Sequence, residues 1–175
     1  MKRYLEAGEF VTTHGVTGEL KLYPWSDGPE LIALLPRLYL SPDGGRAVRL
    51  VSVRPHKGMC IVRLDGVDSL DAARSYVRRV AYFDREDVQL PEGRYFVQDV
   101  LGCRVLDADT GEEYGEIVNI THPAACDIYT VRGKGGEHLF PAVDEFLVSL
   151  DPAAGEVRVR PIPGMFTPME NGDEA

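Results

Sequence analysis

Apolar positions in this chain fall in short runs, many alternating with polar ones, and clusters of Gly, Pro, Asp and Asn separate the runs. A period of two marks a half-buried strand, whereas spacing of three or four marks a helix. Residues 4–12 and 18–24 read as strands around the segment Thr12-Thr13-His14-Gly15-Val16-Thr17-Gly18. Asp27 stands where it could cap a short helix, with Pro29 in the first turn and Leu31, Leu34 and Leu35 facing inward. Arg37–Leu40 reads as a strand running into the turn cluster Ser41-Pro42-Asp43-Gly44-Gly45. Val48, Leu50, Val51 and Val53 make the next strand, which Pro55-His56-Lys57-Gly58 turns back onto Met59–Leu64. Ser69 opens a second helix with Leu70, Ala73 and Val77 at helical spacing, and a strand near Val80–Phe83 follows. Six short strands with two brief helices predict a small closed β-barrel.

The second half keeps the β style. Gly102–Leu106, Tyr114–Ile120, Ile128–Arg132, His138–Phe140 and Glu156–Arg160 read as strands, while Val143–Leu150 fits helix and strand equally. Turn signals at intervals of about 8–12 residues predict a second compact β-barrel. The expected organisation is a mostly β protein: a first barrel over residues 1–87, a linker over 88–94, a second barrel over 95–168 and a disordered acidic tail over 169–175.

Charge changes this picture. Residues 1–87 hold 13 Lys and Arg against 12 Asp and Glu; residues 88–175 hold 6 against 16. The second half thus carries the whole net charge of −9. An acidic surface repels nucleic-acid phosphate and attracts basic proteins, among which ribosomal proteins are abundant. No apolar run is long enough to span a membrane, and no apolar segment follows the basic start MKRYLEAGEF, so a cytoplasmic protein is expected. Cys60, Cys103 and Cys126 are odd in number and far apart, which reads as three free, buried thiols.

Enzyme signatures for nucleotide, zinc or serine chemistry are missing from the chain. Asp107-x-Asp109-x-Gly111 superficially resembles a calcium loop, but its glycine comes one position early and Val118 stands where the bidentate Glu belongs, so a β-turn is expected. Cys126 near His122 is compatible with a nucleophile, and more simply with a buried thiol. No metal or cofactor is called for. His14-Gly15-Val16-Thr17-Gly18-Glu19 has two glycines that let the backbone turn sharply and expose N–H groups, as a phosphate contact needs; a tight connection at a barrel rim would use them equally. Arg74, Arg78 and Arg79 gather positive charge at the end of the second helix, where they complement its dipole or meet rRNA phosphate. Tyr95–Phe96, read as lying on a strand, would send its rings to opposite faces, one to the core or the domain junction and one outward as a binding anchor near Asp99.

These pieces together resemble the RimM family of ribosome maturation factors, from about Leu5 to Phe166. Gly8-Glu9-Phe10-Val11 and His14-Gly15-Val16-Thr17-Gly18-Glu19 are similar to its opening segment. Tyr82-Phe83-Asp84-Arg85 through Leu90-Pro91-x-Gly93-x-Tyr95-Phe96-x-x-Asp99-Val100-x-Gly102 resembles its most specific signature. Gly111-x-x-x-Gly115-Glu116-Ile117-Val118, Pro123-Ala124-Ala125-Cys126-Asp127-Ile128, Phe140-Pro141-Ala142-Val143 and Pro161-Ile162-Pro163-Gly164-Met165 follow in the family's order. Phe96 stands where the family usually has a second tyrosine, and Arg78 where a glycine would end the second helix. The resemblance implies a translation-factor-like first barrel and a PRC-barrel second. It also implies a non-catalytic, chaperone-like monomer that binds small-subunit ribosomal protein nineteen and immature 30S subunits and promotes 16S rRNA processing. Tyr95, Phe96 and Asp99 would meet the protein partner, and His14, Gly15, Gly18, Arg74, Arg78 and Arg79 the ribosome or its RNA. Two other classes stay open: an RNA-binding module built on the first barrel, and a hydrolase in the His14–Glu19 loop.

Overall fold

Alternating burial along the first strand, β1 (Tyr4–His14), sets the architecture: Leu5, Ala7 and Phe10 are buried while Glu6 and Thr12 are exposed. The computed structural model describes residues 1–25 and 27–167; the tail expected to be disordered, Met169 to Ala175, lies outside them. β1 pairs with β2 (Glu19–Pro24) on one side and β6 (Val80–Asp84) on the other, and the register shifts between Glu6 and Gly8 and between Phe10 and Thr12. Such bulges bend a long strand enough to curl a sheet. With β3 (Arg37–Ser41), β4 (Gly44–His56) and β5 (Met59–Leu64), the order β1-β2-β5-β4-β3-β6 closes a barrel, as predicted. Closure leaves no unpaired sheet edge. Its interior is filled by Phe10, Leu20, Leu22, Leu38, Val62 and Phe83, all with essentially no exposure.

Two short helices decorate this barrel. α1 (Gly28–Leu34) has Pro29 in its first turn, but the buried arc is Leu31, Ile32 and Leu35. Leu34, expected inside, is 67% exposed, because the arc facing the barrel runs from position 31 to 32 and 35 rather than to 34. α2 (Leu70–Arg74) is capped by Ser69, whose hydroxyl oxygen accepts from the Ala72 N–H at 3.2 Å. It stops before Val77: the N–H groups of Tyr76, Val77 and Arg79 bond three residues back, and Arg78 adopts φ +68°. Arg78 therefore stands in the left-handed conformation that a terminating glycine would take.

The chain divides into two compact units, the first ending at Pro91 and the second starting at Glu92. The second unit opens with α3 (Val97–Val100), a single turn. The strands β7 (Arg104–Asp107), β8 (Glu113–Thr121), β9 (Ile128–Gly133), β10 (Gly136–Pro141), β11 (Leu147–Asp151) and β12 (Glu156–Val159) follow. They form one sheet in the order β10-β9-β8-β7-β12-β11, with only β12 and β7 parallel. No ladder joins the end strands β10 and β11. Instead the sheet rolls until Phe140 on β10 and Phe146, Leu147 and Leu150 at and on β11 share one core with Val105, Ile117, Val131, Val157 and Val159. The ambiguous Val143–Leu150 segment resolves into a turn followed by β11.

Cys60 and Cys103 are free and buried, and burial raises both thiols above their ordinary pKa. Cys126 is free but only half-buried, contrary to expectation, because it lies in the open connection between β8 and β9. Among the described residues no helix is long and apolar enough to cross a membrane.

Candidate functional site

Tyr95 and Phe96 do not lie on a strand. Both precede α3 in an irregular segment, and Phe96 is its N-cap in extended conformation (φ −67°, ψ 140°). An extended backbone still separates the two side chains: Tyr95 is 42% exposed and Phe96 is 6% exposed. Tyr95 borders a cleft of about 670 Å³ in the second unit. Gly93 and Arg94 continue that wall, Pro123 to Asp127 form another, and Val97, Val100, Tyr129, Leu147 and Leu150 supply the apolar lining. The carboxylates of Asp127 and Asp144 also line it. Asp127 is held by the His122 ring, Nδ1 to Oδ1 at 2.9 Å, so the histidine pairs with the carboxylate rather than poising Cys126. Burial pushes the Tyr129 phenol up to about 12, which keeps it a neutral hydroxyl. Asp99 sits half-buried in α3, where its backbone carbonyl accepts from the Cys103 thiol at 3.4 Å, and it is not part of the cleft wall.

The Asp107 turn is tied by its own carboxylate. Oδ1 accepts the N–H groups of Asp109 and Thr110, both at 2.8 Å, and Oδ2 accepts the Tyr114 hydroxyl at 2.7 Å. That is an Asx-turn geometry with both oxygens engaged, as a β-turn reading requires. Among the described residues no three His, Cys, Asp or Glu side chains converge at metal-ligand distance.

In the first unit, His14 ends β1 and Glu19 begins β2, so the glycine loop is the β1–β2 connection. Gly15 (φ +65°) has open space around it, whereas a Cβ on Gly18 (φ +102°) would lie 2.1 Å from the Val67 carbonyl oxygen. Packing thus requires the second glycine. Glu19 accepts both ends of the Arg54 guanidinium, at 2.7 and 3.1 Å, and this pairing holds its carboxyl below the usual range. His14 stands 6.4 Å from the His56 ring.

The three helix-end arginines differ. Arg74 leans on Asp71 at 3.5 Å. Arg78 and Arg79 are fixed through their backbones, the Arg78 N–H donating to the Phe10 carbonyl at 2.7 Å and the Phe10 N–H to the Arg79 carbonyl at 3.1 Å. Arg79 lines a cleft of about 430 Å³ together with Arg46, Ser41, Ser75 and Tyr76. Arg46 went unnoticed in the sequence because its partner in charge is 33 positions away and only barrel closure brings the two to one cleft.

A closed barrel followed by a rolled six-stranded sheet, each with its own cleft, defines a two-domain β-barrel protein. Residues 5–88 match the model of the RimM N-terminal domain, and residues 97–165 that of the RimM PRC barrel domain. The chain belongs to the RimM family. It is similar to proteins named ribosome maturation factor RimM, at 32% identity over 93% of this chain and 96% of the relative in Clostridium botulinum. In Lactobacillus delbrueckii subsp. bulgaricus the figures are 34%, 93% and 98%. A solved 16S ribosomal RNA processing protein RimM from Pseudomonas aeruginosa is 28% identical over 91% of this chain and 98% of that one, with a TM-score of 0.45.

Proposed function

We propose that this protein is a ribosome assembly factor that binds a basic protein of the small-subunit head, small-subunit ribosomal protein nineteen, and promotes 30S maturation and 16S rRNA processing in the cytoplasm without catalysing a reaction. The observation that carries the proposal is the pair of family matches in one chain, in order and nearly end to end. The second unit supplies a physically suitable docking place: an exposed tyrosine beside a cleft that combines apolar side chains with the carboxylates of Asp127 and Asp144. A basic segment can bury its aliphatic stems in such a cleft and pair its charges with the carboxylates. The mechanism is chaperone-like. The protein holds its partner in an assembly-competent arrangement and leaves as mature contacts replace its own.

Tyr95→Ala tests the cleft. Truncating an aromatic anchor costs about 2 kcal/mol, roughly thirtyfold in affinity. Cosedimentation of the full chain with immature small subunits should fall accordingly while the melting temperature stays put, since the ring is exposed. A folded variant that cosediments like the parent removes the cleft from the interface. Phe96 is a poor probe of binding, because truncating a side chain this buried is first a change in stability.

A further inference from the structure

We infer that the cleft between Arg46 and Arg79 in the first barrel seats backbone phosphates of ribosomal RNA, an assignment that rests on the ribosomal role proposed above. Some of the unit's arginines are paired with a carboxylate, whereas for Arg46, Arg49, Arg78 and Arg79 none is found among the described residues; of this second group Arg46 and Arg79 meet at one cleft. Arg3 is paired with Asp84 and Glu86, Arg37 with Asp87, Arg54 with Glu19, Arg63 with Asp68 and Arg74 with Asp71. Among the described residues neither Arg46 nor Arg79 has a carboxylate partner, and no Asp or Glu lines their cleft. The other two clefts described in the molecule both include carboxylates: Asp127 and Asp144 in one, Glu112, Glu113 and Glu116 in the other.

The remaining lining suits an anion as well. The Ser41 hydroxyl oxygen accepts from the Asp43 N–H at 3.4 Å, which leaves its proton free to donate outward. Tyr76 is held by an edge contact with Phe10, ring centroids 5.9 Å apart, and so forms a firm wall. Arg79 is positioned by the Phe10–Arg79 backbone hydrogen bond, and Arg46 by its place on β4 just after the β3–β4 turn. Two guanidinium groups, exposed and uncompensated, present planar donor forks that match phosphate oxygens. A polymer with phosphates at regular intervals can engage both at once, which a lone small anion does only weakly.

The test uses the full chain, a fluorescently labelled 16S rRNA transcript and a KCl series. Each phosphate contact contributes roughly 0.7 to 0.9 to the slope of log affinity against log salt. Arg46→Gln combined with Arg79→Gln should therefore flatten that slope by about 1.5 and weaken binding at least tenfold near 0.1 M salt. Arg37→Gln, whose guanidinium is held by both carboxylate oxygens of Asp87 at 2.9 and 2.7 Å, should leave the slope unchanged. A melting curve confirms folding, since neither altered side chain carries an ion pair among the described residues. A folded double variant with the parent's affinity and slope overturns the assignment. Displacement of the transcript by inorganic phosphate at constant ionic strength overturns the RNA assignment in favour of a free-phosphate site. A parent protein that cosediments with immature subunits yet fails to hold the transcript also overturns it, and leaves the proposed function standing.

Discussion

Replacing Arg78 by glycine should make the first unit more stable. At φ +68° an L-residue pays roughly 1–2 kcal/mol relative to the right-handed region, because its Cβ crowds the following carbonyl oxygen. Glycine escapes that crowding but gives the unfolded chain more freedom, which costs about 0.5–1 kcal/mol. No compensating contact is lost: the Arg78 side chain is exposed and has no carboxylate partner among the described residues, and the bonds that hold this corner are made by backbone. The net expectation is a gain of about 0.5–1 kcal/mol. For a unit of this size, that moves the melting temperature up by roughly 2–8 °C. Arg78→Ala is the control, since it removes the same side chain while keeping the Cβ and hence the crowding, and it should gain nothing. Differential scanning calorimetry on the full chain reads both variants. A glycine variant that melts at or below the parent, or an alanine variant that gains as much, would refute the claim that backbone strain is stored here.

Gly18→Ala should destabilise the first unit by about 3 kcal/mol, since its Cβ meets the Val67 carbonyl in a left-handed backbone, while Gly15→Ala, with open space, should cost only about 1 kcal/mol. Urea midpoints of the two variants check this, and equal losses would contradict the packing argument. The Asp107 carboxyl is held down to about 2 by the Tyr114 hydroxyl and then by the N–H groups of Thr110 and Asp109. A depressed carboxyl adds stability that is present above its unfolded value near 4 and is lost as pH falls towards about 2. Melting temperature of the parent should therefore fall more steeply between pH 4 and 2 than that of Asp107→Asn; parallel curves would show that the turn does not carry the effect.

The strands of both halves were legible because alternation and turn residues are local signals, and Met59–Leu64 is found where the pattern places it. Closure of the first barrel was legible from strand number and length. What escaped depends on tertiary context. Four residues, Val97 to Val100, are too few for a helical period to show, so Tyr95 and Phe96 were assigned to a strand when they lead into α3. Leu34 and Ile32 exchange places because a seven-residue helix can turn either of two apolar arcs inward, and only the barrel beneath chooses. The parallel pairing of β12 with β7 joins segments about 50 residues apart, and no turn signal announces it. The candidate residues were legible as types, not as places: Tyr95 meets its cleft only when the 123–127 connection and β11 fold around it.

Net charge alone misjudges how this chain presents itself, because pairing decides which charges remain for a partner. In the second unit Arg104, Arg132, Arg158 and Arg160 are each engaged by a carboxylate, namely Glu156 with Glu113, Glu137, Glu156 and Asp109. Its cations are thus largely neutralised at home, in a half whose sequence holds 16 acids against 6 bases. In the first unit the near balance of 13 to 12 conceals the opposite outcome at one spot: Arg3, Arg37, Arg54, Arg63 and Arg74 are paired with carboxylates, whereas Arg46 and Arg79 keep their charge together at one cleft. Screening at physiological ionic strength confines exposed charges to a range of about 8 Å, so each cleft answers mainly to its own lining. Under the proposed function, the cleft beside Tyr95, with Asp127 and Asp144 in its lining, and the arginine cleft without carboxylates would favour partners of opposite charge. A particle assembled from basic proteins on RNA would, under that function, present both kinds of partner, and the different linings of the two clefts are the physical basis on which one chain would engage both.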